Sequence, residues 1–297
     1  MDGANAASAD SPSRASSLAL RVASVSVLIP IVIAAAWRPW STAILVGFCV
    51  ALAIFEFDGI MRQGGYTPRL WVGLLIGLTI CAAAAVGPVA PFDLSGAIIG
   101  LSIIASLAYE LIPGDRKGSI ESWALTFGGA YYVGGLLNYF ILIGQLATPL
   151  RSGWLATLHI PPGTSWILLV LTVTWLQDTA AYFVGRAIGR HQMAPILSPK
   201  KSWEGAAGGF VASVISAALA VAVLGLPISA AAAAMIGAAA GVVGPLGDLV
   251  ESLIKRQIGI KDSGRLIPGH GGILDRIDSL LFTAPVIYYL VLLTLGS

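Results

Sequence analysis

Charge is the scarcest commodity in this chain. Of 297 residues only 11% are Asp, Glu, Lys or Arg, while 57% are hydrophobic and the mean hydropathy is +0.85. A soluble domain usually carries about 25% charged residues. A water-soluble globular protein is therefore excluded, and an integral membrane protein is expected. Net charge is only +2, so bulk charge gives no argument for nucleic acid, and none is expected as a partner. Cysteine is nearly absent. Cys49 and Cys81 both fall inside apolar runs, where they read as small buried hydrophobes and not as a disulfide framework or a metal site. Three scattered histidines make no zinc pattern. No small-residue cleavage site follows the first apolar run, so that run reads as a retained helix. No long soluble insert separates the apolar runs, which points to one membrane domain.

What the chain has in abundance is apolar sequence. Residues 1–16 are Ala-, Ser- and Asp-rich and are expected to form a disordered polar tail. Residues 17–297 then form a single polytopic catalytic domain, with a motif-bearing core at about 165–297. Candidate spans lie at roughly 18–37, 42–57, 70–86, 94–112, 123–147, 165–184, 205–226, 228–246 and 280–295. The second and third are short for a full crossing. The expected fold class is all-α, with about nine transmembrane helices.

Charge placement tests that count. With the N-terminus in the cytoplasm, the inside loops hold Arg14, Arg21, Arg62, Arg69, Arg116, Lys117, Arg186, Arg190, Lys200, Lys201, Lys255, Arg256, Lys261, Arg265 and Arg276. The outside loops hold only Arg38 and Arg151. This asymmetry is what the positive-inside rule requires. It predicts a multi-pass protein of the cell (plasma or inner) membrane with its polar residues at the cytoplasmic face. Small residues four apart, at Gly73 and Gly77, Gly205 and Gly209, and Gly237 and Gly241, permit close helix packing, although Gly and Ala are also simply common in membrane helices. The Ala-rich run 230–240 is expected to pack against protein and not lipid.

Polar residues concentrate between Pro245 and Ser279. Asp248, Glu251, Ser252 and Lys255 recur at helical spacing and share one face, as a solvated helix end would also show. Lys261, Asp262 and Arg265 lead into the turn Pro268-Gly269-His270-Gly271-Gly272, whose glycines let backbone approach a ligand. Asp275, Arg276 and Asp278 open the last span. Carboxylates there also favour the helix dipole, but by only about 0.3–1 kcal/mol. Upstream, Asp178 lies inside the sixth span, where an unpaired charge costs several kcal/mol. It reads as facing a site or as a structural hydrogen bond between helices. The loop Ser198-Pro199-Lys200-Lys201-Ser202-Trp203-Glu204 offers cations and hydroxyls just before a helix that Ser202 could cap. Its lysines could equally meet anionic headgroups. Acids for a hard cation, with cations and helix N-termini for phosphate, fit metal-assisted phosphoryl or nucleotidyl transfer on a lipid.

The run from Ser252 to Asp278 resembles the signature of the phosphatidate cytidylyltransferase family, the CDP-diacylglycerol synthases. Asp178-Thr179 with Ala181-Tyr182, and Ser198-Pro199-Lys200-Lys201-Ser202 with Glu204-Gly205, are similar to that family's upstream motifs. The resemblance covers about the last 120 residues closely, and Ser202 stands where Thr is frequent. It implies that CTP and phosphatidate give CDP-diacylglycerol and pyrophosphate with Mg²⁺, at a paired metal centre in which K⁺ can take part. It leaves a homodimer open. On this reading Asp248 and Asp275 are the first metal ligands, with Asp178 and Asp278 in support. Asp248, Asp275, Lys255 and Lys261 are the catalytic set. Ser198, Lys200, Lys201, Ser202, Glu204, Arg256, Arg265, His270, Gly271, Gly272 and Arg276 are expected to bind substrate. The rivals are a CTP-dependent polyprenol kinase and an ion-coupled transporter, the latter requiring inverted repeats that are not evident.

Overall fold

Backbone polar groups have no water to bond in a bilayer, so apolar runs must satisfy them internally as helices. The computed structural model describes residues 26–87, 94–112, 117–155, 158–261, 263–264 and 271–296. The tail expected at 1–16 lies outside them. Among the described residues a helix stands at each of the nine expected runs: α1 (Ser26–Ala36), α2 (Pro39–Gln63), α3 (Leu70–Val86), α4 (Leu94–Tyr109), α5 (Ser119–Ala130) continued by α6 (Tyr139–Gly144), α7 (Pro162–Ile188), α8 (Trp203–Leu224), α9 (Ala230–Gln257) and α10 (Leu274–Leu295). Six are long and apolar enough to cross a membrane: α2, the α5–α6 segment, α7, α8, α9 and α10. The protein is thus a nearly all-helical, multi-pass membrane protein. α2, expected to be short, is 25 residues long, because helix continues past the apolar run through Asp58 and Arg62. α3, at 17 residues, is short as expected.

The fifth run is broken by a π-helical turn at Tyr131–Gly135. The Asn138 side-chain amide donates to the carbonyls of Gly134 and Gly135 at 3.1 and 2.5 Å, and its backbone amide also donates to the Gly134 carbonyl at 3.1 Å, so this one residue ties down the turn. Gly134 meets Gly77 of α3 so closely that a Cβ on it would stand 2.8 Å from the Gly77 Cα. The expected small-residue contacts are real elsewhere too. A Cβ at Gly237 would lie 2.6 Å from the Ser213 carbonyl oxygen, and one at Gly205 would lie 2.7 Å from the Ala181 carbonyl oxygen. Helix α8 is thereby held between α7 and α9. Ala233, Ile236, Gly237 and Ala240 of the Ala-rich run are buried in protein, while Met235 on the same run is exposed.

Contacts between helix ends give the bundle two polar poles. At one, Arg69 at the start of α3 grips Glu110 after α4 through two bonds of 2.8 and 2.9 Å. Thr67 meets Ser122 of α5 at 2.9 Å, and Glu56 of α2 meets the first turn of α10. At the other, Thr164 bonds the Ala36 carbonyl at 2.6 Å, and the Arg151 amide bonds Gly225 O at 2.7 Å. The described basic residues expected inside gather at the first pole, and Arg38 and Arg151 lie at the second.

Residues Ser198–Ser202, read from sequence as a loop, form a strand instead. This strand β2 pairs antiparallel with β1 (Gln192–Ala194). The hairpin delivers the chain to the start of α8, where the Ser202 hydroxyl accepts from the Gly205 amide at 3.1 Å as the expected N-cap.

Candidate active site

The charged residues of α9 and α10 separate into two neighbouring clusters. In the first, helical spacing puts Glu251 and Lys255 one turn apart, and the Lys255 ammonium lies 2.6 Å from Glu251 Oε2 and 2.6 Å from Asp275 Oδ1. All three are deep: Glu251 is 1% exposed and Lys255 8%. Glu251 Oε1 is buried with no hydrogen-bond partner among the described residues. Asp275 Oδ2 accepts from the Ser263 amide at 3.2 Å, the Ser263 hydroxyl at 2.8 Å and the Gly272 amide at 2.9 Å. Gly271, at φ +82, turns the chain into this contact with a backbone that L side chains resist.

Glu56 completes that cluster from α2. It is 5% exposed, and its carboxylate accepts from the amides of Ile273 and Leu274, each at 2.9 Å. Dipole stabilisation at a helix N-terminus is worth roughly 0.3–1 kcal/mol, whereas taking a carboxylate out of water costs several kcal/mol. Helix stability alone therefore does not account for Glu56 being there. Sequence reasoning passed over this residue. Its signal was an acid within an apolar run, as at Asp178.

The second cluster joins three helices. The Lys201 ammonium reaches Asp248 Oδ2 at 2.6 Å, and the Pro245 carbonyl at 3.5 Å. Asp278 lies within electrostatic range of both Asp248 and Asp178, and Asp178 is within reach of the Ser279 hydroxyl. Pro245 breaks the α9 hydrogen-bond ladder. The carbonyl freed at Gly241 faces the amide of the fully buried Gln177, at a long 3.5 Å.

Asp178, Asp275, Arg276 and Asp278 open onto one cavity of about 580 Å³. The rest of its wall is chiefly apolar, from α1, α2, α7 and α10, and includes Val32, Val46, Leu171 and Ile277. Among the described residues no group of three or more His, Cys, Asp or Glu is arranged to enclose a metal ion.

The other predicted residues fall nearby with different surroundings. Glu204 bonds the His191 ring at 2.6 Å and the amides of Arg190 and His191, so it fastens the hairpin. Ser198 is partly buried at the start of β2, and Lys200 and Lys261 are exposed. Arg256 is exposed and donates to the Ile260 carbonyl at 2.7 Å, closing the end of α9. Gly272 is buried beside Glu56, and Arg276 is exposed at the cavity. Arg265 and His270 lie outside the described residues.

Comparison with known proteins identifies the family. Residues 19–294 match the model of the cytidylyltransferase family. A phosphatidate cytidylyltransferase of Synechocystis is 32% identical over 272 residues, covering 86% of this chain and 90% of the relative. That of Bacillus subtilis is 41% identical over 164 residues, 55% of this chain and 56% of the relative. The Brucella suis enzyme is 44% identical over 128 residues, 43% and 47% of the two chains. With nearly its whole length matched, the chain belongs to the cytidylyltransferase family.

Proposed function

We propose that the protein transfers CMP from CTP to phosphatidate, giving CDP-diacylglycerol and pyrophosphate. The observation that carries this reading is the two-sided cavity: apolar walls from α1, α2, α7 and α10 end at Asp178, Asp275, Arg276 and Asp278. A hydrocarbon tail fits the apolar walls and a phosphate would meet Arg276 at their end, with a cation needed between it and the acids there; phosphatidate has both groups. The family match supplies the nucleotide, since the named relatives are phosphatidate cytidylyltransferases.

In the transfer, a phosphate oxygen of phosphatidate attacks the α-phosphorus of CTP. The bond from that phosphorus to the bridging oxygen breaks, and pyrophosphate carries the electron pair away. The nucleophile is already anionic, so the protein's task is to align the two phosphates and offset their repulsion. Lys200, Lys201, Lys261, Arg256, Arg265 and Arg276 supply positive charge. At the start of α8 the Trp203 and Gly205 amides are already taken, by the His191 carbonyl and the Ser202 hydroxyl, so the hairpin lysines and not that helix end would meet phosphate, while Gly271 and Gly272 would let backbone approach the nucleotide.

The donors here are carboxylate oxygens, which suit a hard divalent cation. Asp248, Asp275, Asp178 and Asp278 are the carboxylates that would hold Mg²⁺. The ion would supply charge neutralisation at the phosphates. Asp275 now bonds Lys255, whose ammonium meets the same need for positive charge. On the positive-inside pattern, the pole bearing these residues is cytoplasmic, and α1, α3 and α4 bring the crossings to nine with the N-terminus inside.

The test uses purified protein in detergent with CTP and dispersed phosphatidate. Pyrophosphate release that requires both substrates is expected; release of CDP, or no reaction, would contradict the proposal.

A further inference from the structure

Glu56 belongs to the N-terminal half of the chain, yet it grips the segment that carries Asp275. Its Oε1 accepts from the Ile273 amide, and its Oε2 from the Leu274 amide and, at 3.4 Å, from the Ser263 hydroxyl. That same hydroxyl donates to Asp275 Oδ2 at 2.8 Å. Two carboxylates, from α2 and α10, thus hold one short stretch of backbone and share a hydroxyl. The fit leaves no spare room. A Cβ at Gly264 would lie 2.7 Å from Glu56 Oε1, and one at Gly272 would lie 2.5 Å from Oε2.

We propose that Glu56 is a positioning residue for the transfer reaction. Its carboxylate fixes the first turn of α10, and so fixes Asp275 against Lys255 and the cavity. The proposal rests on the reading of Asp275 as part of the transfer site. Charge and shape both matter to it. Glu56→Gln keeps the shape, but its NH₂ group would oppose a backbone N–H where the native residue has an acceptor. Glu56→Asp keeps the charge but is one methylene too short to meet the same donors.

The experiment compares wild type, Glu56→Gln and Glu56→Asp in detergent. Both variants should lose kcat by about tenfold or more, with KM for phosphatidate within about twofold, because the cavity walls are untouched. Amide exchange at residues 272–275 should quicken, and the kcat loss should persist per folded molecule when each variant is assayed well below its own melting temperature. Wild-type kcat in Glu56→Gln, unchanged exchange at 272–275, or a kcat loss no larger than the loss of folded protein would each overturn the proposal. The wild-type arm separates the two claims. If wild type itself releases no pyrophosphate from CTP and phosphatidate, the transfer reading falls first. Normal wild-type turnover with an unaffected Glu56→Gln refutes only the positioning role.

Discussion

Lys255 has two carboxylate partners at 2.6 Å and almost no access to solvent. Removing the cation from such a site leaves two buried acids uncompensated. Lys255→Met should therefore destabilise the protein by roughly 3–5 kcal/mol, measured as thermal unfolding in detergent. Asp248 is different, because it and Lys201 are each about a quarter to a third exposed. Partly exposed pairs such as this contribute about 1 kcal/mol or less, so Asp248→Asn should insert and melt much as wild type does. Its turnover should nonetheless be lost, and near-normal activity would remove Asp248 from the site. Residue types and helical spacing alone placed Asp248, Glu251 and Lys255 on one face. They could not show that Asp275 turns toward Lys255 while Asp248 turns toward Lys201, since that partition depends on how α8, α9 and α10 pack. Glu56 was hidden for a related reason: its partners are backbone amides more than 200 residues away, and backbone donors leave no mark in a sequence.

Helix α8 owes its position to residues that have no side chain. At Gly237 an added methyl would meet backbone atoms of α8 at 2.6 Å, whereas at Gly59 it would meet nothing within 4 Å. Gly237→Ala should cost about 1–3 kcal/mol by forcing α8 and α9 apart. Gly59→Ala should be neutral or stabilising by up to about 1 kcal/mol, since Ala loses less freedom in a helix. Melting curves of the two variants test this; equal effects would refute the close packing. The helices were legible because their apolar runs are long. The β1–β2 hairpin was not, because a three-residue strand and a five-residue strand containing Pro199 carry no alternating pattern. In the hairpin, Lys201 is tied to Asp248 while Lys200 is exposed. Lys200→Ala with Lys201→Ala should lower activity in detergent, where headgroup attraction is absent. Headgroup attraction alone is worth about 1 kcal/mol per lysine near an anionic surface, so wild-type kinetics in detergent would reject a substrate role for the pair.

Across the whole molecule, one polar pole collects the ends of α2, α4, α7 and α9 and the starts of α3, α5, α8 and α10. The sequence foreshadowed this through the distribution of Lys and Arg, and helix-end contacts such as Arg69 with Glu110 now join those ends directly. What the linear pattern could not reveal is the cavity, because its wall draws on helices as distant as α1 and α10. A reporter joined after Ser119 should lie in the cytoplasm and one joined at Ser297 outside. Both on one side would mean that the crossing count is wrong. The central claim is nucleotidyl transfer to a lipid, and the fate of each phosphate of CTP decides it. The purified protein should be given phosphatidate with CTP labelled at either the α- or the γ-phosphorus. The account predicts that α-label enters the lipid fraction while γ-label leaves as pyrophosphate; γ-label in the lipid, or no label there from either position, would contradict it.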